Sequence, residues 1–287
     1  MRRYQIITDS ACDISPAILA DWNVKYAQLT FHFDGEDKEY NNGDMSISEF
    51  YQYMRDGRVA KTAAVGMDAY QKTFEPVLQE GTDILYIGFA TALSNSCQVA
   101  KLIGKELMEK YPERKVICID SRCASAGQGM LVYYAVQQRD AGMELDELAD
   151  YVRATLGKIC HWFTVGDLVY LKRGGRVSAA SALAGTLLQI KPVLHVDDEG
   201  RLINVKKIRG RKQAIGAMAE RYMQTALDPK GVYFMSHGDC LDDAKLLEDM
   251  IYRRTGAKCQ LITDVGPVIG AHSGPGTLAL FFLGSER

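Results

Sequence analysis

Short, continuously apolar runs separated by helical stretches fill the first half of the chain, and that alternation constrains the fold more than any single motif. YQIIT (4–8), DILYIGF (83–89) and KVICID (115–120) are apolar almost without interruption. Strands buried on both faces read this way, because crossover helices cover a parallel sheet on either side. The intervening helices carry start signals. Ser15 precedes Pro16 in SPAILADW (15–22), an N-cap followed by a residue whose missing N–H is not needed in the first turn. SISEFYQYMRDG (46–57) pairs Ser46 with Glu49 as a capping box and stops at Gly57. NSCQVAKLIGKELMEKY (95–111) and SAGQGMLVYYAVQQRDAG (125–142) are further helices, and VKYAQLTFHF (24–33) alternates as a single strand.

The second half is less uniform. A helix is expected over 145–158, a strand over 160–165 and an apolar helix over 179–188. A β-hairpin follows around DDEG (197–200), then a helix over 211–227. GVYFMSHGD (231–239) and DDAKLLEDMIYRRTG (242–256) form a strand–helix unit, and KCQLITDVG and TLALFFLG are the closing strands. At 287 residues the chain is long for one core, so two domains are expected, over 1–150 and 151–287.

Composition excludes several classes. Apolar content of 47% with 24% charged residues is that of a soluble globular chain. A net charge of −2 leaves no electrostatic footprint for nucleic acid. No apolar run approaches the ~20 residues of a membrane span, so no stable membrane insertion is expected. MRRYQIITDS lacks the apolar region and cleavage site of a signal peptide, and seven scattered cysteines without CxxC fit reduced thiols, so a cytoplasmic location is expected. No H-x-x-x-H pair marks a metal site; no Walker A motif or G-x-G-x-x-G marks a nucleotide, and KRGGR (172–176) is not followed by Gly-Lys-Ser/Thr. No metal or cofactor is expected.

Open parallel sheets bind ligands beyond the carboxyl ends of their strands. Thr8, Asp9 and Ser10 follow the first run; Thr91, Ser94, Asn95 and Ser96 follow the second; Asp120, Ser121, Arg122 and Ser125 follow the third. Thr62, in AKTAAVG, precedes another helix. Thr62 and Ser94 are thus expected at helix starts, where free N–H groups and the macrodipole favour an anion. Taken singly, such hydroxyls read as N-caps, and Asp9 and Asp120 as turn anchors. His272 is expected on a glycine- and proline-rich loop, in GPVIGAHSGPGTLAL (266–280), with its protonated ring adding a favourable charge. Ser94, His272 and Asp120 also make a nominal triad, the basis of an alternative reading as a hydrolase or transferase on an acyl or phosphorylated small molecule. Ser94 lies in ALSNS, however, and not in a G-x-S-x-G elbow. Arg173, Arg176, Lys206, Lys207, Arg209, Arg211 and Lys212 form a basic cluster: a solvated face, or a surface that steers a partner or phosphate.

TDSACDI (8–14), KTAAVG (61–66), ALSNSCQVA (92–100), IDSRCASAGQG (119–129), LVYLKRGGRVS (168–178), LLQIKPVL (187–194), IRGRKQA (208–214) and VGPVIGAHSGPGTLAL (265–280) occur in a specific order and spacing. By these motifs the chain resembles the DegV family of bacterial fatty-acid-binding proteins. The resemblance implies an N-terminal parallel sheet with helices on both faces and a C-terminal mixed α/β domain. It implies one long-chain fatty acid in a buried tunnel between the domains and into the second. The carboxylate would be held by Thr62, Ser94 and Asn95 and approached by His272, with Ala63, Gly274, Thr277 and Leu188 in the tunnel or its loops. GTLLQI (185–190) and ALFFLG (279–284) are candidate lining. The family role is non-catalytic: a monomer that presents the carboxylate to a separate ATP-dependent fatty acid kinase, giving an acyl phosphate for phospholipid synthesis. Arg173, Arg176 and Arg209 are expected against that kinase or the phosphate. Two departures bear on the grip and on chain preference: Ala63 stands where the family commonly has Ser, and Ser94-Asn95-Ser96-Cys97 where Ser-Gly-Thr-Tyr is common.

Overall fold

The computed structural model describes residues 3–177 and 190–287. Strand β1 (Tyr4–Asp9) leads through a single 3-10 turn into α1 (Pro16–Asp21), where Ser15 Oγ accepts the Ile18 N–H at 3.3 Å. The expected strand over 24–33 is instead two, β2 (Val24–Ala27) and β3 (Thr30–Phe33). β2 pairs in parallel with β1, whereas β3 joins a small antiparallel sheet between β4 (Tyr40–Asn41) and β5 (Ala60–Ala63). Between β2 and β3, the Leu29 N–H bonds Ser10 Oγ at 2.9 Å instead of a neighbouring strand. An alternating pattern records which face is covered, so it carries no mark where the chain changes sheets.

The chain continues through α2 (Ile47–Arg55), α3 (Met67–Gln79), β6 (Asp83–Gly88), α4 (Ser96–Lys110), β7 (Val116–Asp120), α5 (Ala126–Asp140) and α6 (Leu145–Leu156). Ser46 Oγ caps α2 through the Glu49 N–H at 3.2 Å, while the Glu49 carboxylate takes the Tyr53 hydroxyl at 3.0 Å, so half of the expected capping box forms. The first sheet has the order β2-β1-β6-β7 and is parallel throughout. Ile6, Leu85 and Ile87 face α5, and Ile7, Ile84 and Tyr86 face α3 and α4. Both faces are buried, which is why these strands read as unbroken apolar runs.

The second half adds β8 (Ile159–Thr164), α7 (Val169–Arg173), β9 (Ile190–Val196), β10 (Leu202–Arg209), α8 (Arg211–Thr225), β11 (Tyr233–His237), α9 (Leu241–Thr255), β12 (Leu261–Asp264), α10 (Pro267–Ser273) and β13 (Leu278–Leu283). Its sheet has the order β10-β9-β8-β13-β11-β12, and only β11–β12 is a parallel pair. Trp162, Leu280 and Phe282 face α8 and α9, while Phe163, Ala279 and Phe281 face α5. The architecture is therefore α/β, with a parallel sheet covered on both faces and a mixed second sheet. Position 150, the expected division, lies inside α6. The expected helix over 179–188 and Leu188 lie outside the described residues, as does GTLLQI up to residue 189. No described helix is long and apolar enough to cross a membrane.

α5 packs against both sheets, and Gly127 sets how closely. A Cβ on Gly127 would come within 2.2 Å of His161 Nε2 and 2.8 Å of Phe281. Gly216, in α8, has nothing within 4 Å of the equivalent position. Gly127→Ala is expected to lower the unfolding free energy by about 1–3 kcal/mol through overpacking. Gly216→Ala is expected to raise stability by up to about 1 kcal/mol through helix propensity. Urea unfolding of both variants checks the pair, and equal effects would mean that the approach of α5 to β8 is not limiting.

Candidate functional site

Beyond the carboxyl ends of β6 and β7 a cavity separates the two sheets. Two aspartates shape its rim. Asp9, fully buried at the end of β1, accepts the Phe89 N–H at 2.9 Å, the Tyr86 hydroxyl at 2.6 Å and the Ala11 N–H at 3.1 Å. Burial pushes its carboxyl above the usual range against these bonds. Asp120 accepts the Arg122 N–H at 2.9 Å and the Thr91 hydroxyl. Both act as the anchors that their positions suggested, tying the chain beyond each strand so that Phe89, Leu93, Ala124 and Ser125 form one wall.

The opposite wall follows two periodicities. Every second residue of the second sheet faces inward: His161 and Phe163 from β8, Ala279 and Phe281 from β13. Along α10 the spacing is helical, with Val268, Ile269, His272 and Ser273 on one face and Val265 just before the helix. His272 therefore belongs to a helix and not to the expected loop. Pro267 occupies the first turn and Gly274, with φ of 79°, follows the last residue. Those are the two places where such residues suit a helix, so the glycine and proline content marked its ends.

At one end Thr62 Oγ1 lies 2.8 Å from His272 Nε2. Thr62 is on β5, four residues short of the Gly66 cap of α3, so it is not the helix-start hydroxyl that its sequence neighbourhood suggests. Ser94 Oγ lies 3.0 Å from Ser96 Oγ and accepts the Ser96 N–H at 3.3 Å. Ser96 Oγ in turn accepts the Val65 N–H at 3.1 Å, joining the segment after β5 to the start of α4. This bridging by the fully buried Ser96 was not foreseen; its only sequence signal is a third polar residue before a helix. Asn95, Ala63 and Thr277 also line the cavity. Gly274 ends α10 and is not among the lining residues, although Thr277 Oγ1 bonds its carbonyl at 2.8 Å.

Arg176 is the cation of this end. Its Nε donates to the Leu93 carbonyl at 3.1 Å, and the side chain lies on the cavity wall, where a partner-facing position was expected. Arg173 is exposed over the Tyr170 ring at 5.7 Å, and Arg209 is exposed on β10; neither lines the cavity. Arg211 is committed to Asp243 at 2.9 Å and the Gly276 carbonyl at 2.7 Å.

Burial, with the Arg176 charge beside it, pushes the His272 imidazole down to about 4. The ring is thus neutral at neutral pH, contrary to the protonated ring that the sequence suggested. Its Nδ1 has no hydrogen-bond partner among the described residues. A Cβ on Gly174 would come within 2.2 Å of Nδ1, so the glycine of KRGGR is what lets this segment close over the ring. The nominal triad is not assembled: Ser94 bonds Ser96, Asp120 bonds Thr91 and Arg122, and His272 bonds Thr62. Among the described residues no cluster of His, Cys, Asp and Glu could hold a metal ion.

Comparison with known proteins extends over the same span. The chain is 37% identical to a DegV domain-containing protein of Clostridium perfringens, over 100% of this chain and 99% of that one. Its fold is similar to the solved fatty acid binding DegV family protein of Streptococcus agalactiae, with a TM-score of 0.85 at 26% identity and 100% of both chains covered. It is also similar to a DegV family protein of Thermus thermophilus whose solved structure is described as fatty acid binding, with a TM-score of 0.84 at 26% identity over 97% of this chain and 98% of that one. The family model described as “Uncharacterised protein, DegV family” matches residues 3–285, so the chain belongs to the DegV family.

Proposed function

We propose that this protein binds one long-chain fatty acid in the cavity between its sheets and presents the carboxylate to a separate ATP-dependent fatty acid kinase for acyl-phosphate formation, a step towards phospholipid synthesis. The observation that carries the reading is the composition of one cavity: a largely apolar wall with Thr62, Ser94, Asn95, Arg176 and His272 on it. Two DegV relatives described as binding fatty acids support it.

The physical terms agree. A carboxylate leaving water needs charge-assisted hydrogen bonds. Arg176 supplies a positive charge, Thr62 and Ser94 supply hydroxyls, and a neutral His272 can take up a proton to become a second cation. The alkyl chain supplies affinity at about 0.8 kcal/mol per buried methylene, so about fifteen of them contribute roughly 12 kcal/mol before ordering and association costs. The protein is a carrier in this reading and turns nothing over alone. Arg173 and Arg209, exposed and away from the cavity, are left for the kinase.

Three outcomes test the reading. Denaturing mass spectrometry of organic extracts of the purified protein should find a long-chain acid near equimolar ratio, depleted in Thr62→Val and in Arg176→Ala; an empty extract with no stabilisation by added acids would overturn it. With the purified kinase, Arg173→Ala and Arg209→Ala should lower phosphorylation several-fold while leaving acid affinity unchanged. The third concerns pH. His272 titrates at about 4 in the folded protein and at about 6.5 when unfolded. Between those values the unfolded state binds more protons, so stability falls as pH drops through this window. In protein stripped of bound acid, His272→Gln should flatten the pH dependence of urea stability there, and an unchanged slope would place the ring's titration outside the window.

A further inference from the structure

The cavity carries a second polar group, built from side chains that take no part in the Thr62–His272 pair. Ser125 precedes the first residue of α5 with φ of 53° and ψ of −143°, a conformation uncommon outside glycine. Its Oγ donates to Asp13 Oδ2 at 2.5 Å and lies 2.9 Å from Ser236 Oγ on β11. The other Asp13 oxygen accepts the Gly266 N–H at 3.0 Å, so the carboxylate is committed. Ser273, from α10, is 5% exposed, and its Oγ has no hydrogen-bond partner among the described residues. Ser125, Ser236 and Ser273 all line the cavity.

An alkyl chain offers these hydroxyls nothing. Ser125 spends its only proton on Asp13, so Ser236 donates to Ser125 across their 2.9 Å contact and keeps its oxygen free to accept, while Ser273 is free both to donate and to accept. The Ser273 hydroxyl, buried without a partner against a methylene chain, is a standing cost, because water is displaced and nothing replaces it. The chemistry of the partner can be narrowed. An anionic substituent would add negative charge next to an Asp13 carboxyl that burial already pushes up to about 7, and the two charges would oppose each other. A cationic one would find both Asp13 oxygens already bonded. A neutral group that donates and accepts matches Ser236 and Ser273 together.

Resting on the fatty-acid reading above, we propose that the preferred ligand is a long-chain acid bearing a hydroxyl on its chain, and that Ser236 and Ser273 are the residues that select it.

Competitive binding against a fluorescent fatty acid tests this. The probes are octadecanoic acid and a set of hydroxyoctadecanoic acids with the hydroxyl near the carboxylate, at mid-chain and near the methyl end. One positional isomer is expected to bind about tenfold more tightly than octadecanoic acid, the scale of one well-made hydrogen bond. Ser236→Ala and Ser273→Ala should each erode that preference by weakening the hydroxylated acid, without weakening octadecanoic acid. If octadecanoic acid binds and no hydroxylated isomer binds more tightly, this proposal falls and the carrier reading stands. A preference that survives in the Ser236→Ala/Ser273→Ala double variant also overturns it. If none of the acids binds, both readings fall. The wild-type panel decides without any variant, so a folding defect in one of them does not protect the idea.

Discussion

Helix α5 is buried between two sheets, and the position of everything else follows from that. Its residues from Ala126 to Val132 are all buried, so this stretch is apolar or small on every side except at Gln128, whose amide donates to Thr8 Oγ1 at 2.9 Å. Ile6, Leu85 and Ile87 approach from the parallel sheet; Phe163, Ala279 and Phe281 approach from the mixed sheet. One core thus runs through both halves of the chain. The cavity lies where the helix begins: Ala124 and Ser125 precede α5, and past them the two sheets stand apart, with α10 on one wall of the space. The ligand site is a consequence of the layer arrangement, with its polar ends supplied by the segments that follow the strands.

Those segments are held by buried acids and hydroxyls acting on backbone. Asp9 fixes the turn after β6, Asp120 the turn after β7, Ser96 the segment before α3, and Asp13 the start of α10. Each accepts an N–H that no sheet or helix satisfies, and the bonds made by the buried Asp9, Asp13 and Ser96 would be costly to leave unmade. The Tyr51 hydroxyl adds a bond to the Val265 carbonyl at 2.8 Å. The helix carrying His272 is therefore positioned by residues more than two hundred places earlier in the chain.

Electrostatics at the carboxylate end differ from those of a preformed cation pair. Arg176 is charged and His272 is neutral, kept so by burial and by Arg176 itself. An arriving carboxylate changes that balance, because an opposite charge nearby favours the protonated ring. The site thus gains a second positive charge only when its ligand is present, and the empty protein avoids holding two like charges side by side.

Much of this was legible in the sequence. Unbroken apolar runs gave away the parallel sheet, since burial on both faces removes the alternation; Ser15-Pro16 and Ser46 gave away helix starts, since capping is local chemistry. The hairpin around DDEG is likewise local, and forms between β9 and β10 as expected. The ordered motifs brought Thr62, Ser94 and His272 to attention together. What the tertiary structure decided is what each side chain meets. The break between β2 and β3, the helical setting of His272, its neutral ring, the turn of Arg176 onto the cavity wall and the link from Asp13 through Ser125 to Ser236 all depend on groups distant in the chain. Local patterning records how much of a residue is covered; it holds no information about which distant atom covers it, and hydrogen-bond partners and proton affinities are set by that atom.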